Sequence, residues 1–284
     1  MQIFKLNPRA IYSMAKKEFA DNVRNKWIIA LTLIFIILTV ATSYLAGGGT
    51  SSILGGMEET VVMLLAITTI LVPLIAVMLG YATISGECES GSLGIVLAYP
   101  IKRTEVLLGK IIGLSSVIVV SVIFGFGIGG VLIAVSAGAE AWTSYLAFMG
   151  LVILLGILYL SAAILFSALT ARRVTSLAAG VILFFWGMIY GTIIFGIYIA
   201  TGGNISELMS GAVAFPDWIW VSVVFSPMDM SQMTIMKAFN ISKAFGFEMD
   251  MPSFMSLGFL VLVQLIWISV SLILAFYFFK KRDI

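Results

Sequence analysis

The sequence predicts an all-α membrane protein with six transmembrane helices, an N-terminal amphipathic interfacial helix and both termini in the cytoplasm. Three observations predict it. The chain of 284 residues is 61% hydrophobic and only 11% charged. Its charges leave six long runs empty, at 27–57, 60–86, 111–139, 141–171, 174–206 and 251–279. A helix needs ~20 apolar residues to cross a bilayer and a charge at the centre costs ~3 kcal/mol, so each run is a candidate span. The basic residues, finally, are lopsided. Lys and Arg near span ends resist translocation, and 14 of the 16 fall in the N-terminal arm, the 83–110 loop, the Arg172–Arg173 turn and the C-terminal tail. The other face has Lys237 and Lys243 against eight acidic residues. The two termini and the 83–110 loop therefore belong on the cytoplasmic side.

In chain order, residues 1–26 form the interfacial helix and 27–284 a single six-span domain. In the arm, Tyr12, Ala15, Phe19 and Val23 recur every three or four residues, with Lys16, Lys17, Asp21 and Arg24 mostly elsewhere on the wheel. Pro8 suits the first turn, and the basic face suits anionic headgroups. The alternative is an arm that acts only as a topology signal. A polar arm of 26 residues precedes the first run, which is too long for a signal-peptide core, so it reads as a retained anchor. Runs one to five are joined by short connections apart from the 83–110 loop. Before run six lies a segment, 202–255, broken by Pro216, Asp217, Pro227 and Asp229. Its apolar piece at 218–226 is too short to cross and reads as interfacial or re-entrant. The pairs Gly125/Gly129 and Gly187/Gly191 let helix backbones approach closely.

The composition also excludes functions. With no histidine and a single cysteine, Cys88, the chain lacks the commonest metal ligand and near-neutral base, and no disulfide forms within it. It has no GxxxxGK[ST] phosphate loop; GFGIGG at 125–130 sits inside an apolar run with no preceding strand. The runs hold no carboxylate or base for ion coupling, and Gln264, the most polar side chain deep in a run, suits a hydrogen bond between helices. A non-catalytic membrane subunit whose energy arrives through a partner fits these absences. Nothing points to nucleic acid.

The loop GECESGSLGIVLAYPIKRTEVLLGK at 86–110 is where such a partner would act. Leu93, Val96 and Leu97 stand at i, i+3 and i+4, Pro100 ends the apolar stretch, and Thr104 is placed to cap the next helix. The pattern predicts a short amphipathic helix that docks a peripheral protein. The alternative is a solvated loop lying on the membrane.

Acidic residues after the second run, Gly91-Ser92-Leu93, Pro100, Arg103 and Gly109-Lys110 resemble the signature loop of type-2 ATP-binding-cassette permeases. The resemblance extends over the basic arm, the six runs, the long 202–255 segment and the basic tail. Within the superfamily, KEFADNVRNKW and GECESGSLGIVLAYPIKR are most similar to permeases of copper-handling complexes that mature nitrous oxide reductase. One departure is Gly94, where the family usually has another acidic residue. The resemblance implies a coupling helix seated in a separate cytosolic ATPase subunit, with Glu87, Glu89, Gly91, Leu93, Pro100 and Arg103 as contacts. It also implies pairing with a second copy of the chain, ATP and Mg bound by the ATPase rather than here, and a prokaryotic inner membrane. The work done would be export, or remodelling of an extracytoplasmic subunit.

The second constellation is MDMSQMTIM. Met228, Met230, Met233 and Met236 offer soft thioethers suited to Cu(I), and structural methionine is the alternative. Two competing readings stand beside the permease: a channel or scaffold that needs no ATPase, and a general drug, lipid or ion exporter.

Overall fold

Helices follow the charge-free runs because a backbone in hydrocarbon must satisfy its own hydrogen bonds. The computed structural model describes residues 6–46, 57–137, 139–209, 215–241, 243–244, 247–248 and 251–282. The chain opens with α1 (Pro8–Val23), α2 (Lys26–Ala46) and α3 (Met57–Gly80). Two short helices, α4 (Ser85–Glu89) and α5 (Ser92–Leu97), make the loop between runs two and three. The long α6 (Arg103–Ala137), α7 (Ala139–Leu169) and α8 (Arg173–Ala200) follow. The 202–255 segment holds α9 (Ile205–Met209), α10 (Asp217–Ser222), a 3-10 turn at Val223–Phe225 and α11 (Pro227–Ala238). It also holds two antiparallel strands of two residues, β1 (Lys243–Ala244) and β2 (Phe247–Glu248), and α12 (Leu257–Lys281) closes the chain.

Among the described residues, five stretches are long and apolar enough to cross a membrane: Leu64–Glu89, Arg103–Gly127, Tyr145–Leu169, Arg173–Ala200 and Leu257–Lys281. The expected first crossing coincides with α2, a helix of 21 residues several of whose side chains lie outside the description.

The bundle is built around α7, against which α3, α6, α8, α11 and α12 all pack. Its Phe148, Val152, Leu155, Tyr159 and Ile164 are completely buried. Without a hydrophobic drive between helices in lipid, close packing through small residues holds such a bundle together. Gly80 shows it: a Cβ there would stand 2.6 Å from the Ala163 Cβ of α7. Gly125 likewise lies against the ring of Phe35, while the surroundings of Gly129 lie outside the described residues.

The arm forms the expected helix, with Asn7 capping Arg9 N at 3.1 Å and Pro8 in the first turn. Its protein-facing side takes in Ala15 and, in part, Phe19 of the apolar stripe predicted to meet the membrane interface. Met14, Ala15 and Glu18 are buried, whereas Tyr12 and Val23 are exposed. The reason is α6, whose Gly109 and Gly113 form a shallow seat for α1: a Cβ on Gly113 would be 2.6 Å from the Ala15 carbonyl oxygen. A polar residue on the seated face, Glu18, disguises that face on a hydropathy wheel.

The 202–255 segment turns back into the bundle. Its helix breaks at 222–225, and side chains from two long helices satisfy the freed carbonyls. Tyr190 donates to Ser222 O at 2.8 Å, Trp186 to Phe225 O at 3.2 Å and Trp267 to Val224 O at 3.1 Å. Ser226 then caps α11 with Pro227 at its first position. Gln264 of α12 donates to Thr234 at 2.6 Å and accepts from Ser231 at 3.3 Å, a hydrogen-bonded pairing of α11 with α12.

Candidate functional site

The loop between α3 and α6 is a braced structure. Ser167 Oγ of α7 accepts from Ile84 N at 2.9 Å and Ser85 N at 3.0 Å, which fixes the start of α4. Gly91, at φ +71°, supplies the left-handed turn between α4 and α5 that a side chain would resist. Leu93 is fully buried and Leu97 packs on the core, so the apolar face foreseen for α5 is turned inward.

At its centre stands Lys110, near the start of α6 and 1% exposed. Its Nζ donates to Glu18 Oε1 at 2.5 Å and to Glu87 Oε1 at 2.7 Å. One buried ammonium thus ties α1, α4 and α6 together. Glu87 Oε2 is buried without a hydrogen-bond partner. Around this triad, charged side chains close the helix ends. Arg103 donates to the carbonyls of Phe279, Lys280 and Arg282 at 3.2, 3.1 and 2.6 Å, capping α12. Arg282 does the same for α7, reaching Ser167 O, Ala168 O and Thr170 O at 3.1, 3.3 and 2.6 Å. A guanidinium at a helix C-terminus meets both orphan carbonyls and the negative end of the dipole. Glu89 accepts from Arg173 N at 3.1 Å, with its Oε2 3.4 Å from Arg173 Nε, and so sits at the positive end of α8.

The expected cap Thr104 gives way to Glu105. Its Oε2 accepts from Lys102 N at 3.0 Å, a capping-box geometry, and its Oε1 accepts from Asn7 N at 2.7 Å, which anchors α1 at its other end.

The six residues singled out in this loop therefore divide. Glu87, Leu93 and Arg103 are engaged within the chain, whereas Gly91, Pro100 and, beside Arg173, Glu89 are exposed. Sequence reasoning passed over Ile95 and Tyr99, exposed to 68% and 64% on α5 and in the turn just after it. Their signal was an i, i+4 pair of large apolar residues in a polar loop. A recess of about 470 Å³ in the same loop is lined by Glu87, Cys88, Gly91, Leu93, Gly94, Ala171 and Arg282. At Gly94 a Cβ would meet open space, so the missing acidic residue is not excluded by sterics.

The methionines lie on α11, beside the second half of α8, and all four are buried. Met228 packs against Gly187, Met233 lines a cavity, and Met230 and Met236 belong to the core. At 100° per residue they fan over roughly 200° of the helix rather than forming one narrow face. No cluster of three or more His, Cys, Asp or Glu able to hold a metal occurs among the described residues.

Residues 12–284, nearly the whole bundle with its braced loop, match the family described as ABC-2 family transporter protein. The chain belongs to that family. It is 30% identical over 287 residues to the probable ABC transporter permease protein NosY of Stutzerimonas stutzeri, covering 96% of this chain and 98% of that one. It is 29% identical over 285 residues to the NosY of Pseudomonas aeruginosa, covering 96% and 99%. The molecule is thus a multi-pass membrane protein and a NosY-like ATP-binding-cassette permease. Permeases of this family are typically non-catalytic, and membership implies a partner ATPase subunit.

Proposed function

We propose that the permease crosses a prokaryotic inner membrane six times, with α2 as the first span and the α4–α5 loop and both termini in the cytosol. Two copies pair, and each receives on α5 the push of a cytosolic ATPase subunit that holds ATP and Mg. The observation that carries this reading is the bracing of α4 and α5. The loop displays Ile95 of α5, with Tyr99 and Pro100 just after it, outward, while Leu93 of α5 and Glu87 and Glu89 of α4 bind it to the bundle. An element that only floated on the membrane would need no ties to α1, α6, α7 and α8. In this division of labour Glu89, Gly91 and Pro100 meet the ATPase with Ile95 and Tyr99, while Glu87, Leu93 and Arg103 pass the displacement inward.

The same motion drives export, or remodelling of an extracytoplasmic subunit docked on the 202–255 segment, in copper handling for nitrous oxide reductase maturation. The folding of that segment into the bundle supports the second output, because α11 packs on α3, α7, α8 and α12 and moves with them. Co-purification with the ATPase encoded alongside tests the coupling. Ile95→Asp with Tyr99→Asp should abolish co-purification and permease-dependent ATP hydrolysis, and a double variant that still assembles and stimulates the ATPase would overturn it.

A further inference from the structure

A cavity of about 360 Å³ opens between α8, α10 and α11, at the low end of ligand-pocket volumes. Its walls include Tyr190, Phe195, Phe215 and Trp220, and Asp229 and Gln232 are its main polar side chains. Asp229 arrives there by construction. It lies in the first turn of α11, and Gly191 of α8 makes room for it, since a Cβ at that glycine would be 3.0 Å from Asp229 Oδ1. Yet Asp229 Oδ2 is buried with no hydrogen-bond partner, and so is the indole Nε1 of Trp220. Buried polar groups are almost always satisfied, and Ser226 and the Asp229 backbone support this carboxylate only in part, leaving Oδ2 without a partner. Burial accordingly raises the pKa of Asp229 above its ordinary value.

The chemistry of the walls selects the missing partner. An anion is excluded by the carboxylate, and a neutral apolar molecule would leave it unpaired. Hard metal ions take six or more oxygens, whereas this cavity is mostly aromatic. An organic ammonium matches both features, because its charge pairs with the carboxylate while aromatic faces attract it through their quadrupoles. The free indole N–H suits an acceptor oxygen close to that nitrogen.

We propose that this cavity binds an amphiphilic ammonium group, with Asp229 as counter-ion, the aromatic walls as its cage and Trp220 as donor to a neighbouring oxygen. A free amine and the ammonium of a lipid headgroup share this chemistry. The site is complete within one chain, so its occupancy can be measured without the ATPase.

The test is calorimetric titration of dodecyltrimethylammonium into the full-length permease in dodecyl maltoside, with dodecyl sulfate as the control of opposite charge. Saturable binding of one cation per chain is expected, weakened at least tenfold by Asp229→Asn and by Gly191→Leu, which fills the space the carboxylate occupies. Trp220→Phe, which keeps a ring but removes the N–H, should weaken phosphocholine detergents more than dodecyltrimethylammonium. Nanodiscs containing phosphatidylethanolamine instead of phosphatidylglycerol alone should weaken the probe if the headgroup is the natural occupant, and leave it unchanged if a free amine is. Equal affinity of wild type and a folded Asp229→Asn protein, or equal binding of dodecyl sulfate, would overturn the proposal.

Discussion

Lys110→Met is the most direct perturbation of the brace. It removes an ammonium that is 1% exposed and held 2.5 Å from Glu18 and 2.7 Å from Glu87, while keeping most of the side-chain volume. Two carboxylates are then left facing one another beneath α1. Removing one member of a buried ion pair costs about 3–5 kcal/mol. The glutamate side chains are 11% and 20% exposed, so water relieves part of the penalty and the lower figure, about 3 kcal/mol, applies. Equilibrium unfolding in mixed detergent, followed by helical circular dichroism, measures it. The triple variant Lys110→Met, Glu18→Gln, Glu87→Gln should recover most of the loss, because replacing all charged members by neutral groups of similar volume is often close to neutral. ATPase stimulation should not recover with it, since the tie between α1, α4 and α6 is gone. A single variant within about 0.5 kcal/mol of wild type, the range of an ordinary surface substitution, would refute the brace. So would a triple variant less stable than the single one.

Three further outcomes follow from the same geometry. Gly113→Val places a methyl-bearing Cβ against the backbone of Ala15 and should lift α1 from α6 at a cost of about 1–3 kcal/mol. A cysteine introduced at Met14 should then react with maleimide, and continued protection would show that α1 is held otherwise. Replacing Met228, Met230, Met233 and Met236 together by Leu should keep the fold and lower the Cu(I) retained by the purified complex; metal content that does not change removes these thioethers from copper handling. In the ligand-free permease, Asp229 has a folded pKa above its ordinary value of 3.8, because burial penalises the charged form. Ionisation is therefore easier in the unfolded chain, and this residue's contribution to stability falls as pH rises from about 4 through the folded pKa. Thermal melts should show Asp229→Asn gaining on wild type over that interval and levelling off above it, whereas a constant difference would refute the burial argument.

Five of the six expected spans, all among the described residues, were legible because hydrocarbon imposes one rule, the absence of charge, that survives in any window of sequence. The 202–255 segment was legible for the same reason in reverse, since nine apolar residues between prolines cannot cross. What was not legible lies wherever a polar residue is paired across a long sequence separation. Glu18 looks like a mismatch on the seated face of α1 until Lys110 is placed opposite it, 92 positions away. Arg103 and Arg282 read as topology signals, and their second role as caps on α12 and α7 depends on which helix ends lie beside them. The orientation of α5 was hidden by a related ambiguity. Leu93, Val96 and Leu97 were read as the docking face, yet an apolar stripe at helical spacing carries no label saying whether it meets its own bundle or a partner. Here Leu93 meets the bundle, and the less regular pair Ile95 and Tyr99 is left outside.

The two ends of the molecule are joined by one uninterrupted element. α8 begins at Arg173, which holds Glu89 of the loop, and it carries Gly187 and Gly191, on which Met228 and Asp229 of α11 rest. From residue 173 to residue 191 a helix rises roughly 27 Å, close to the thickness of the hydrocarbon core. No proline interrupts it. Under the proposed coupling, a displacement of the α4–α5 loop reaches α8 through Glu89 of α4 and reaches the cavity without passing through a flexible joint. The packing at its middle is unforgiving, because Gly187 stands so close to Met228 that a Cβ there would lie 2.8 Å from the methionine Cβ. A tilt of α8 of even a few tenths of an ångström at that contact must either push α11 or part from it. Close-packed contacts of this kind switch between arrangements rather than deform continuously. Small residues at 187 and 191 thus have two consequences: they admit the Asp229 carboxylate to the cavity, and they make the cavity sensitive to where α8 stands.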